Sequence, residues 1–272
     1  PSKVAIQLND THPAIAVAEL MRVLVDERGL AWDEAFHITQ QTFGYTNHTL
    51  LAEAMEKWPA TLFERLLPRH LEIIYEINHR FLRQVQIRYP FDEERLRRMS
   101  LVEEGAEKKI RMAHLAVVGS HSVNGVAELH TELLRRDVLP DFAAMFPERF
   151  NNKTNGVTPR RWLAWCNPRL SKLITSRIGK GWETDLDRLR KLEEHLEDAE
   201  LRKAFREVKQ QNKQDLAQHV KTLRPVSLDP NAIFDVQIKR LHEYKREVLN
   251  ALHIVVLWMR ARRDPSTIIH PR

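Results

Sequence analysis

The residues best equipped for chemistry form one run, Lys239-Arg240-Leu241-His242-Glu243-Tyr244-Lys245-Arg246. It follows a strand-like segment, Phe234 to Ile238, and opens a helical pattern. Backbone N–H groups at a helix start favour anions, and nearby cations strengthen that attraction. Lys239, Arg240 and Lys245 therefore suit a phosphate or sulfate, with Arg240 offering planar paired donors. Tyr244 falls one turn after Arg240 and can face the same ligand. A solvated basic helix start would use the same residue types.

Three other runs place small polar groups where a strand hands over to a helix or turn. Asn9-Asp10-Thr11-His12 can hydrogen-bond sugar hydroxyls, or simply cap the next helix. Tyr45-Thr46-Asn47-His48-Thr49 sets a histidine at a strand end, where it can orient a hydroxyl or sit as a half-buried turn residue. Lys153-Thr154-Asn155-Gly156 presents Asn155 at a turn that reads as a hinge. Other signals are weaker. Gly119-Ser120-His121 lacks the Gly-x-Ser-x-Gly elbow of a serine hydrolase. No His-Glu-x-x-His spacing suggests zinc, so no metal site is expected. Glu72, Glu76, Glu103 and Glu104 read as solvated helix charges. The basic stretch Lys203 to Lys221 is interleaved with acids and has no aromatic platform, which argues against nucleic acid.

These groups need elements to hold them. Val4, Ile6 and Leu8 alternate as in a strand, and a helix follows from Pro13 to about Glu27, stopped by Gly29. Helices are expected at Trp32 to Thr42 and, divided by Pro59 and Pro68, from Leu51 to Arg88. The last of these pieces carries Leu71, Ile74, Ile77, Phe81, Leu82 and Val85 on one stripe. Further helices are expected at Asp92 to Leu101, Ala106 to Val118, Val126 to Arg136, Asp185 to Leu196, Ala199 to Leu223 and Leu241 to Arg262. The pattern is helix-rich α/β with few strands, and ligands of open α/β sheets bind where strands end. The polar run Asn151 to Gly156 is the expected domain junction.

Composition narrows the class. The chain has 272 residues and a net charge of 43 − 37 = +6, with 29% charged and 43% apolar residues. That length allows one large domain or two small ones, at roughly 100–200 residues each. The composition fits a folded soluble protein. One cysteine, Cys166, excludes an intramolecular disulfide framework and favours a reducing, cytoplasmic compartment. No apolar run approaches the roughly 20 residues of a membrane span. No signal peptide is expected, and the chain opens at Pro1.

Taken in order, six strings resemble one family, the α-glucan (glycogen, starch or maltodextrin) phosphorylases. They are Val4-Ala5-Ile6-Gln7-Leu8-Asn9-Asp10-Thr11-His12-Pro13, Tyr45-Thr46-Asn47-His48-Thr49, Leu67-Pro68-Arg69-His70-Leu71, Gly119-Ser120-His121-Ser122-Val123-Asn124-Gly125-Val126-Ala127, Asn152-Lys153-Thr154-Asn155-Gly156-Val157-Thr158-Pro159-Arg160-Arg161-Trp162-Leu163 and the run Phe234 to Arg246. The resemblance implies a GT-B fold of two facing Rossmann-like domains. It implies phosphorolysis of terminal α-1,4-glucosidic bonds to glucose 1-phosphate with retention, using pyridoxal phosphate through its phosphate group. It implies that 1–154 is the end of a first domain and 155–272 the beginning of a second. It implies a homodimer.

By the same resemblance, His48 and Asn155 contact the 6-hydroxyl of the reacting glucose, while Asp10 and His12 line the pocket beside it. Lys239, Arg240, Tyr244 and Lys245 hold the cofactor and substrate phosphates, and Trp162 packs near the cofactor. Arg69, His70, Tyr75, Ser100, Glu104 and Lys108 match a surface glucan-storage site, with Glu72 departing from the glutamine expected there. The family's chains are much longer, and their Schiff-base lysine lies in a later segment. The isolated chain is therefore expected to be an inactive internal piece. Alternatives are a nucleotide-sugar glucan synthase of the same fold and a non-catalytic glucan-binding protein.

Overall fold

The computed structural model describes residues 3–242 and 245–266. They form two compact units, Pro1–Gly156 and Val157–Arg272. The first unit is helix-rich α/β around a four-stranded parallel sheet, in the order β1 (Ile6–Asn9), β2 (Phe43–Thr46), β6 (Ser122–Gly125), β7 (Phe150–Asn152). Strand side chains alternate between faces. Leu8, Phe43, Tyr45, Val123 and Phe150 are buried in the core. Gln7, Gly44, Thr46, Ser122, Asn124 and Asn151 make the opposite, polar face, along which an open groove runs. The Gln7 side chain lies over Gly44, whose missing Cβ would stand 2.7 Å from Gln7 Oε1.

Helices cover the apolar face. α1 (Ala16–Arg22) runs on into a π-helical turn, Val23–Glu27, and Gly29 ends it at φ +66°. α2 (Trp32–Thr42) leads directly into β2. α4 (Pro68–Arg88) starts on its proline and buries Leu71, Ile74, Ile77, Phe81 and Val85, as its stripe requires, with Leu82 packed at the edge. Phe81 stacks on Phe142 of α8 (Pro140–Met145), with centroids 5.8 Å apart. α5 (Glu93–Met99) is capped by Asp92, which accepts the Arg95 N–H at 3.0 Å.

A second, antiparallel sheet joins β3 (Lys57–Pro59), β5 (Lys109–Arg111) and β4 (Val102–Glu103). It corrects two helical expectations. The piece after Leu51 is a 3₁₀ turn, Ala52–Met55, followed by β3, and α3 (Ala60–Leu66) begins only beyond Pro59. The segment from Ala106 is a turn and β5 before it becomes α6 (Met112–Val118). Ile110 is fully buried between Trp58 and Val102 across the ladder, and that non-local pairing outweighs the local helical pattern. After β6, α7 (Glu128–Leu133) continues as a π-helical turn, Leu134–Val138.

The second unit is helical among the described residues. A π-helical turn, Arg160–Trp165, precedes α9 (Pro168–Ile178), capped by Asn167. A 3₁₀ stretch, Leu186–His195, replaces the α-helix expected there. α10 (Ala199–Leu223) is capped by Asp198, which accepts two backbone N–H groups. Trp182 is fully buried and donates its indole N–H to Thr175 Oγ1 at 3.1 Å. Phe234–Ile238 is not a strand, contrary to expectation. A strand is held by its ladder, and no other strand is present among the described residues of this unit to supply one. α11 (Glu247–Arg263) starts six residues later than the sequence pattern suggests.

His114 on α6 links fold and pH. Its Nδ1 faces the Ser100 carbonyl at 3.0 Å, and its ring sits edge-on to Phe142 at 4.8 Å. Burial, then the nearby Arg111 charge, pushes its pKa down from 6.5 to about 4. The folded state thus binds fewer protons than the unfolded state between these values. Stability is fully present above pH 6.5 and is lost as pH falls toward 4, by at most about 3 kcal/mol. Denaturant unfolding across this range should show the loss, and His114→Gln should flatten it. An unchanged slope in that variant would remove His114 as its source.

Candidate functional site

The carboxyl ends of the four parallel strands gather polar residues on one edge of the first unit. β1 ends at Asn9, and Asp10 then turns the chain in the left-handed region at φ 68°, a conformation that a short polar side chain tolerates. The Asp10 N–H donates to the Thr46 carbonyl at 2.9 Å, and its carboxylate accepts the Thr11 N–H at 2.8 Å. Capping is not what Thr11 and His12 do. α1 begins at Ala16 after Ile15 without a side-chain cap. Thr11, fully buried, donates its hydroxyl to Glu56 Oε2 at 2.7 Å, and His12 Nδ1 lies 2.8 Å from Glu56 Oε1.

Glu56 was not legible as a site residue. It lies 44 residues from His12 and carries a strained φ of 41°. A carboxylate only accepts, so His12 Nδ1 carries the shared proton. When that ring is neutral, its Nε2 is an acceptor. The signal that could have found Glu56 is its place between the Ala52–Met55 turn and β3, immediately after Met55.

After β2, the Asn47 N–H donates to the Asn124 carbonyl at 2.9 Å, and its side-chain amide donates to the Tyr45 hydroxyl at 3.2 Å. Burial holds the Tyr45 phenol above its usual pKa, so it remains protonated. His48 Nε2 hydrogen-bonds Asn9 Oδ1 across the strand ends. Thr46 Oγ1 donates to Asn124 Oδ1 at 2.9 Å. After β7, the Lys153 N–H donates to the Gly125 carbonyl and the Asn155 N–H to the Val126 carbonyl. Asn155 therefore lies with the first unit, in an open groove of about 490 Å³ shared with Gln7, Thr46, Asn124 and Lys153.

The second unit carries the predicted cations. Lys239 is half-buried, and its ammonium contacts the Glu247 carboxylate. Glu247, first residue of α11, also accepts the His242 N–H at 2.7 Å. Lys239, the His242 N–H and its own backbone N–H hold its pKa down to about 2. At this helix start Lys239 and the His242 N–H are thus both met by the chain's own carboxylate. Arg240 is exposed, and Lys245 is half-buried with its N–H on the His242 carbonyl. Tyr244 lies outside the described residues. Trp162 is 63% exposed on its π-helical turn.

The residues of the expected storage site fall into separate groups. Arg69 pairs with Asp26 and Glu72, and His70 with Glu19. Tyr75 is partly exposed on α4. Ser100 Oγ approaches Asn78, and Glu104 pairs with Lys108 in the β4–β5 hairpin at 3.2 Å.

The fold and site define an α/β protein with polar, hydrogen-bonding groups gathered at the carboxyl edge of a parallel sheet. Residues 1–272 match the family model described as carbohydrate phosphorylase, and the chain belongs to that family. It is 54% identical over 272 residues to muscle-form glycogen phosphorylase of Rattus norvegicus, covering all of this chain and 32% of that protein. Glycogen phosphorylase of Synechocystis sp. is 55% identical over 268 residues, 98% of this chain and 32% of that protein. The human muscle form is 53% identical over 272 residues, again all of this chain and 32% of that protein. The chain spans about a third of the length of these curated relatives.

Two substitutions probe the edge. Gly125→Ala would bring a Cβ to 2.4 Å from Thr131 Oγ1 and 3.0 Å from the Thr131 backbone, and should cost about 1–3 kcal/mol in denaturant unfolding. Glu56→Gln keeps the shape and removes the charge. It should leave the fold intact while raising the fraction of His12 in the other tautomer, read from histidine nitrogen NMR shifts. No change in tautomer would mean that Glu56 does not orient the ring.

Proposed function

We propose that this chain is an internal segment of an α-glucan phosphorylase, which cleaves terminal α-1,4-glucosidic bonds with inorganic phosphate to give glucose 1-phosphate with retention. The observation that carries this reading is the 53–55% identity, over 98–100% of the chain, to proteins named glycogen phosphorylase. The exposed apolar surface of α11 supports its being a segment of a longer protein. Leu249, Leu252, Ile254, Val255, Trp258 and Met259 are all at least 41% exposed, although a helix apolar on all sides is ordinarily buried.

Each unit has a part in this reading. His48 and Asn155 bind the 6-hydroxyl of the reacting glucose, and Asp10 and His12, in the first unit, line the pocket beside it. In the second, Lys239, Arg240, Tyr244 and Lys245 hold phosphate and offset the negative charge that develops as the glucosidic bond breaks. The donor set of this loop, two lysines, an arginine and N–H groups at a helix start, fits the phosphate end of pyridoxal phosphate. Bound there, the cofactor supplies a phosphate group for acid–base exchange with the substrate phosphate, and Trp162 packs near it. Lys239 must then exchange Glu247 for phosphate.

The same reading gives the whole enzyme a GT-B fold, with 1–154 and 155–272 as parts of its two domains. It also makes the enzyme a cytoplasmic homodimer. No helix among the described residues is long and apolar enough to cross a membrane. Arg69, His70, Tyr75, Ser100, Glu104 and Lys108 are assigned to a glucan-storage surface.

The full-length protein carrying this segment should release glucose 1-phosphate from glycogen when supplied with phosphate and pyridoxal phosphate. Glucan synthesis from UDP-glucose in its place would overturn the assignment. In the same protein, Arg240→Ala should raise the KM for phosphate at least tenfold, about 1.4 kcal/mol, with a smaller effect on the KM for glycogen. Equal losses would exclude an anion-binding role.

A further inference from the structure

The sugar-binding edge contains one histidine that the proposed chemistry does not use. β6 ends at Gly125, and α7 folds back so that His130, in its first turn, lies over that glycine. A Cβ on Gly125 would stand 2.7 Å from His130 Nδ1, so the close approach requires glycine. Nδ1 accepts the Val126 N–H at 3.2 Å. A ring nitrogen that accepts has no proton, so the neutral ring carries its hydrogen on Nε2. Protonating Nδ1 would set one N–H against another. Burial and the neighbouring His48 push in the same direction, lowering the His130 pKa.

Nε2–H is therefore a fixed donor, and it is buried with no hydrogen-bond partner among the described residues. Buried donors in native proteins are nearly always paired. The fold already uses Nδ1, and it gives Nε2 nothing. Val126, bonded to the same ring, lines the groove with Thr46, Asn124 and Asn155. His48 is close enough for its charge to be felt at His130.

We propose that His130 is a further substrate-binding residue of this edge, its Nε2–H donating to an oxygen of the bound sugar beside His48. A neutral donor suits a neutral hydroxyl oxygen, and its fixed tautomer removes the choice of donor or acceptor. This rests on the phosphorolytic reading of the site.

Two variants separate the donor from the structural acceptor. His130→Asn keeps an oxygen near the Nδ1 position for the Val126 N–H and loses the donor. His130→Gln places an amide N–H near the Nε2 position and loses that acceptor. In the full-length enzyme, with glycogen and phosphate as substrates, the Asn variant should melt close to the parent yet lose about tenfold or more in kcat/KM for glycogen. The Gln variant should melt lower and keep most of the parent kcat/KM at a temperature where it is folded. Full activity in the Asn variant, or no advantage of Gln over Asn, would overturn the proposal. An inactive parent enzyme would instead count against the phosphorylase reading. Histidine nitrogen NMR of the 272-residue chain gives a readout independent of turnover. His130 should show the Nε2–H tautomer, and the opposite tautomer would also overturn the proposal.

Discussion

Parallel strands send every carboxyl end to the same edge of their sheet, and the first unit is organised by that constraint. Leu8, Phe43, Tyr45, Val123 and Phe150 must share one buried face, which fixes the register of all four strands. Once the register is set, Asn9, Thr46, Gly125 and Asn152 end together. The segments that follow, from Asp10, Asn47, Val126 and Lys153, leave the sheet side by side. Residues as far apart in the chain as Asn9 and His48 then share a hydrogen bond. Burial of an apolar face thus decides where the polar chemistry sits.

The edge is held by side chains that satisfy one another. Glu56 ties Thr11 and His12, Asn124 ties Thr46, and backbone groups of Gly125 and Val126 receive the chain beyond β7. Rigid placement of this kind limits the reorganisation needed when a ligand binds. Among the described residues of this edge, the Nε2–H of His130 and the Oδ1 of Asn47 are buried and left unpaired.

The basic loop before α11 follows a different economy. Lys239 and the His242 N–H meet at Glu247, which supplies an anion from within the chain. A carboxylate at a helix N-terminus is favourable to the dipole, so the arrangement is locally stable. On the proposed reading, phosphate binding here is an exchange of one anion for another rather than the filling of a bare cationic site.

Much of the first unit was legible in the residues. The helices Trp32–Thr42 and Pro68–Arg88 and, in the second unit, Ala199–Leu223 follow from periodicity, proline placement and caps, which act over a single turn. The polar runs at Asn9, His48 and Asn155 could be picked out by type and by their places after strands, although caps and turns use the same residues, and the fold alone brought them to one edge. What tertiary structure alone decided was every pairing across distance. The β3–β5–β4 ladder replaced an expected helix, and Thr11 left its capping role for Glu56. Phe234–Ile238 stayed outside any ladder for want of a partner strand. Local propensity is written in neighbouring residues, whereas ladders and buried hydrogen bonds depend on which distant groups the core brings into reach.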